Sequence, residues 1–222
     1  MKTNEQPLLG LLVLLTVVSG IVDAVSYLGL GHVFVANMTG NVVFLGFAAV
    51  GVGGFNWLGS VLALAAFIAG SAIGGWIARR APPLAALRNA ALIMLPLFVT
   101  ASALAFALGL EAGTYPLIGI LALTMGVQSA IARAAGLDVT TTVLTMTLAS
   151  LASEPHVRGY QPHTGRRVGA IVAMFAGAAV GALLFRFAPA AALGLAPLCM
   201  AIVLAVSHYA RPRSSRLGAT SA

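Results

Sequence analysis

Asp23, Asn37, Thr39, Asn41, Gln128, Ser129, Asp138, Thr140, Thr141, Thr142, Thr145 and Thr147 are polar side chains set into otherwise apolar sequence. Their amides and hydroxyls can hydrogen-bond a small solute, and their carboxylates can carry a proton or meet a cation. Bond-making chemistry has no comparable basis, because the chain shows no Ser–His pair, no paired carboxylates and no metal-ligand constellation. We therefore expect no catalytic residue, no enzyme activity, no cofactor and no metal. His32, His156, His163 and His208 fall in three separate loops or ends, and Cys199 is alone. A single cysteine excludes an intrachain disulfide and any cysteine-based cluster.

The polar residues form one motif used twice, His32 to Asn41 and Asp138 to Thr147. In each, a glycine stands nineteen residues before the central threonine, Gly20 before Thr39 and Gly126 before Thr145. A second pair of stretches repeats as well: Ala69, Gly70, Ala72, Gly74, Arg79, Ala81 and Pro82 recur as Ala176, Gly177, Ala179, Gly181, Arg186, Ala188 and Pro189. The first pair is offset by 106 positions and the second by 107. Gly70 with Gly74, and Gly177 with Gly181, give the small-xxx-small spacing that lets helix backbones approach closely, so packing is their expected role.

The elements that carry these residues must lie in a membrane. The 222 residues are 60% hydrophobic and only 8% charged, with a mean hydropathy of +1.01, whereas soluble domains carry about a quarter charged residues. Six apolar stretches, 8–31, 57–78, 90–110, 115–132, 168–187 and 190–209, each approach the ~20 residues a helix needs to cross about 30 Å of hydrocarbon. The fold class expected is all-α integral membrane. A net charge of +7 does not point to nucleic acid, since the arginines cluster at span ends, as a topology signal does.

The two polar motifs open shorter segments. From Gly40 to Gly53 a helix would extend only about 20 Å, less than the bilayer. Asn37 and Thr39 stand where N-cap residues belong. If both short segments crossed, the positive loops would be split between the two faces. If neither crosses, Arg186 is the only one of the twelve Lys and Arg opposed to the rest, as the positive-inside rule asks. The expectation is therefore six spans and two re-entrant half-helices, 32–54 and 138–153. The repeats would be 1–110 and 111–210, followed by a cytoplasmic tail 211–222, in one membrane domain. Three spans per repeat make the second repeat inverted, the usual architecture of secondary transporters.

Gly20, Asp23, Ala24, Tyr27 and the run Val33 to Asn41, together with Gly126, Gln128 and the threonines 140–145, make the chain resemble the YoaK-like family of bacterial inner-membrane proteins. The resemblance extends over nearly the whole chain. Ser129 and Met146 stand where relatives tend to carry Asn and Gly. It implies a multi-pass protein of the bacterial inner membrane and supplies no activity, the family being a domain of unknown function. The physics points to a transporter or permease for a small anionic or zwitterionic solute. Asn37, Thr39, Asn41, Gln128, Ser129, Thr142 and Thr145 would bind the solute, and Asp23 would couple transport to protons. A passive channel and a non-transporting scaffold are the alternatives. The partners expected are the lipid bilayer, a small-molecule solute and a second copy in a homo-oligomer, with both termini cytoplasmic.

Overall fold

Hydrocarbon offers the backbone no hydrogen-bond partner, so a chain this apolar must satisfy its amides within each segment. The computed structural model describes residues 5–135 and 164–209, with side-chain surroundings for 8–135 and 168–209, and all regular structure among them is helical. In chain order the helices are α1 (Glu5–Gly29), α2 (Met38–Ala49), α3 (Trp57–Ala78), α4 (Pro83–Ala112), α5 (Thr114–Ala134), α6 (Thr164–Phe187), α7 (Pro189–Leu193) and α8 (Leu195–Tyr209). Among the described residues six spans are long and apolar enough to cross a membrane, α7 and α8 counting as one, and α2 with its 12 residues is not one of them. The segment 138–153, with Thr142 and Thr145, and the tail 211–222 lie outside the described residues.

The helix ends follow local chemistry. Asn56 caps α3 by accepting the Gly59 N–H at 2.8 Å. Pro83 begins α4, where its missing N–H costs no helical bond. That start lies earlier than the apolar stretch 90–110 suggested, so Arg88 stands inside α4 and not before it.

Two crossings organise the bundle. A methyl group at Gly70 would meet the Leu123 carbonyl, and one at Gly74 the Val127 carbonyl, so α3 and α5 advance together and run parallel. A methyl at Gly177 would meet the Val17 carbonyl, and one at Gly181 the Ile21 backbone, so α1 and α6 are parallel too. The converse contacts agree: Gly20 faces Met174 and Ala178, and Gly126 faces Phe67 and Ser71. Adding 106 or 107 to the residues of one crossing generates those of the other. Enclosure follows the same pairing: α1 and α5 are the most buried spans and α3 and α6 the least.

Gly31, just past α1, packs against Asn56, just before α3, an added Cβ lying 3.1 Å from the Asn56 Nδ2. α1 therefore ends where α3 begins. Arg79, Arg80, Arg88 and Arg133 then share one end of the bundle, and Arg186 lies at the other.

Candidate functional site

α1 carries a buried polar stripe, Thr16, Ser19, Asp23 and Ser26, at spacings of three, four and three that keep one helical face. The hydroxyls are satisfied within the helix, Thr16 by the Leu12 carbonyl at 3.0 Å, Ser19 by Leu15 at 3.1 Å and Ser26 by Asp23 at 3.1 Å. Asp23 reaches outward instead.

Beyond α1 the backbone turns through two left-handed residues, Gly31 at φ 79° and His32 at φ 61°. The chain then runs without helical structure to Asn37, and its free amides need partners. Asp23 Oδ1 accepts the N–H groups of Val35 at 2.9 Å and Ala36 at 2.7 Å. Asn41 accepts the Phe34 N–H at 3.0 Å through Oδ1 and donates through Nδ2 to the Phe34 carbonyl at 2.6 Å. Nδ2 also lies 3.6 Å from the Met38 sulfur. Asp23 thus holds the broken segment against α1, and Asn41 holds it against α2.

α5 contributes Gln128. Its Nε2 donates to Ser19 Oγ at 2.8 Å and to the Leu15 carbonyl at 3.0 Å, tying α5 to the polar stripe. Asp23 Oδ2 and Gln128 Oε1 are buried oxygens with no hydrogen-bond partner among the described residues. Asp23 is 4% exposed and Gln128 4%. A pair of unpartnered acceptors in a membrane interior costs free energy, on the order of 1–3 kcal/mol per group.

Among the residues singled out from sequence, Asp23, Asn41 and Gln128 converge on α1 or on the segment beside it. Asn37 and Thr39 are exposed at the start of α2. Asn37 occupies the N-cap position, yet its side chain makes no cap bond; its ψ of 81° falls short of the extended range a capping residue adopts. The capping expected of Asn37 is corrected accordingly. Asn41 spends both ends of its amide on Phe34. Ser129 is half-buried one residue beyond Gln128. Thr142 and Thr145 lie outside the described residues, as does any meeting of Thr39 with Thr145.

An aromatic cluster escaped the sequence reading. Tyr27 stacks on Phe34 at 4.8 Å and meets His32 edge-on at 5.0 Å, while Phe44 stacks on Phe55 at 5.0 Å. Phe47 closes the group at 5.4 Å from Phe55. The rings bind the broken segment, α2 and the following loop into one unit. Its signal was compositional: four of the ten phenylalanines fall between positions 34 and 55.

A family model described as protein of unknown function (DUF1275) matches residues 11–206. The UPF0700 transmembrane protein YoaK of Bacillus subtilis (strain 168) is 42% identical over 149 residues. That stretch is 64% of this chain and 64% of the relative's own length. No solved structure matches.

Proposed function

The chain belongs to the DUF1275 family of YoaK-like transmembrane proteins, and from that premise we propose that it is a secondary transporter for a small anionic or zwitterionic solute, coupled to protons through Asp23. The observation that carries the proposal is the clamp of Asp23 on Val35 and Ala36, immediately before a helix too short to span. Broken helices that begin inside the membrane beside an ionisable group are the usual substrate sites of transporters.

The arrangement suggests how solute and proton are linked. The first N–H groups of α2 carry about half a positive charge, and the Asn37 side chain leaves them uncapped. Asp23 already presents a carboxyl group to this end. A proton arriving on the unpartnered Oδ2 cancels the carboxylate's charge while Oδ1 keeps its two amides. The positive helix end is then free to take the anionic group of a solute, with Asn37 and Thr39 beside it. Proton and anion enter together and leave together, so transport is symport.

In this proposal 32–54 dips into the bilayer and returns, the two repeats are inverted, and the arginine-rich end faces the cytoplasm with both termini. The reciprocal glycine crossings support the duplication.

The test is uptake into proteoliposomes, screening amino acids, small carboxylates and inorganic anions with and without an imposed inward proton gradient. Accumulation above equilibrium only with the gradient is the expected result. Gradient-independent flux points to a channel. Absence of flux, with Asp23→Asn silent in cells, leaves a scaffold.

A further inference from the structure

Where α3 and α5 end together, a groove of about 410 Å³ opens between them. Gly75 and Ala78 of α3 and Ala130 and Ala134 of α5 form its floor, Ser71 lies deeper, and Arg79 and Arg133 flank it. Small side chains leave the space, and the parallel packing brings the two arginines level. Neither guanidinium makes a hydrogen bond or ion pair among the described residues, and neither Asp23 nor Glu111, the acids whose side-chain surroundings are described, lines the groove.

Trp76 fixes its depth. This residue is 52% exposed on α3, and Arg80 lies over its ring at 3.8 Å. An outward indole beside arginines marks the headgroup level, where aromatic belts lie. Below it α3 presents Ile68 and Ile73 outward, a surface suited to acyl chains.

The duplicated crossing at the opposite end provides an internal comparison. Arg79 corresponds there to Arg186, but Arg133 corresponds to Tyr27, whose ring is stacked on Phe34. The same helix geometry therefore carries two cations at the arginine-rich end and one at the other. Packing alone requires no second arginine, since both crossings have the same glycine contacts.

We propose that this groove binds the phosphate of an anionic phospholipid, held between Arg79 and Arg133, with the glycerol and upper acyl chains over the small-residue floor. Basic pockets between membrane helices are suited to anionic headgroups, and guanidinium forks match phosphate oxygens. The site is separate from the solute site and stands whether or not the chain transports.

The test uses the full-length protein, delipidated in detergent, with phosphatidylglycerol titrated by native mass spectrometry and thermal unfolding. Each arginine in contact with the bound phosphate contributes about fivefold, so Arg79→Gln with Arg133→Gln weakens binding about thirtyfold. Arg79→Lys with Arg133→Lys keeps the charges and recovers part of it, which separates binding from misfolding. Arg80→Gln with Arg88→Gln, equal in charge at the same end, leaves affinity within about twofold. An equal loss in that control pair overturns the proposal, as does equal affinity for phosphatidylcholine. Inorganic phosphate protecting the protein as well as phosphatidylglycerol does would assign the groove to a soluble anion and overturn the lipid.

Discussion

Asp23 divides its two oxygens between structure and proposed transport, and substitutions can separate them. Asp23→Asn keeps an oxygen for the Val35 and Ala36 amides and loses the titratable group. Its expected cost in stability is about 1 kcal/mol or less, with loss of gradient-driven accumulation. Asp23→Ala strands both buried N–H groups at about 1–3 kcal/mol each, and the protein should unfold well before the asparagine variant in a thermal or denaturant scan. Equal stability of the two variants would remove the clamp from the account. Asn41→Ala strands both polar groups of Phe34 and should likewise cost about 2 kcal/mol or more, measured the same way. The sequence marked Asp23, Asn41 and Gln128 as special because polar groups are rare in such surroundings. It could not show that Asn41 is consumed by Phe34, since a side chain that mimics a peptide and one that awaits a ligand have the same residue type.

At the scale of elements, the glycines make the two crossings quantitatively comparable. Gly20→Ala drives a methyl into the Met174 carbonyl and Gly126→Ala drives one into the Phe67 carbonyl. Backbone cannot yield as a flexible side chain does, so each should cost about 1–3 kcal/mol. The two changes lie in different crossings and should add. Gly46→Ala and Gly119→Ala, which meet open space, should leave the unfolding midpoint unchanged or raise it slightly. A Gly20→Ala variant as stable as Gly46→Ala would mean that the α1–α6 contact is looser than described. The span positions were legible to within a few residues, because length and hydropathy alone determine what can cross a bilayer. The small-xxx-small spacing announced close approach, but not its partner: α3 packs on α5 and α1 on α6, which no spacing within one helix encodes. The start of α4 was missed because Pro82, Pro83 and Arg88 look like a loop when hydropathy is the only guide, although proline at a helix start is favourable.

At the scale of the whole molecule, the direction of every span follows from a few joins. α1 ends beside the start of α3, at Gly31 and Asn56, so 30–56 leaves and returns at one end. Because α3 and α5 are parallel, and α1 and α6 are parallel, α5 ends at the same end at which α6 begins. This gathers Arg79, Arg80, Arg88, Arg133, Arg166 and Arg167 at a single end, an arrangement an even split of crossings would not give. In the proposed orientation charge retention makes that end cytoplasmic. Cysteine labelling checks it in intact cells, in a Cys199→Ala background, with a thiol reagent that does not permeate the inner membrane. Pro82→Cys and Thr164→Cys should be protected, while His32→Cys, Val52→Cys and Ala112→Cys should react. His32 and Val52 are the decisive pair, exposed just before and just after α2. If one of this pair reacts and the other is protected, α2 crosses the bilayer despite its 12 residues, and the buried carboxylate of Asp23 no longer faces a re-entrant helix. The symport mechanism would then lose the uncapped helix end on which it depends.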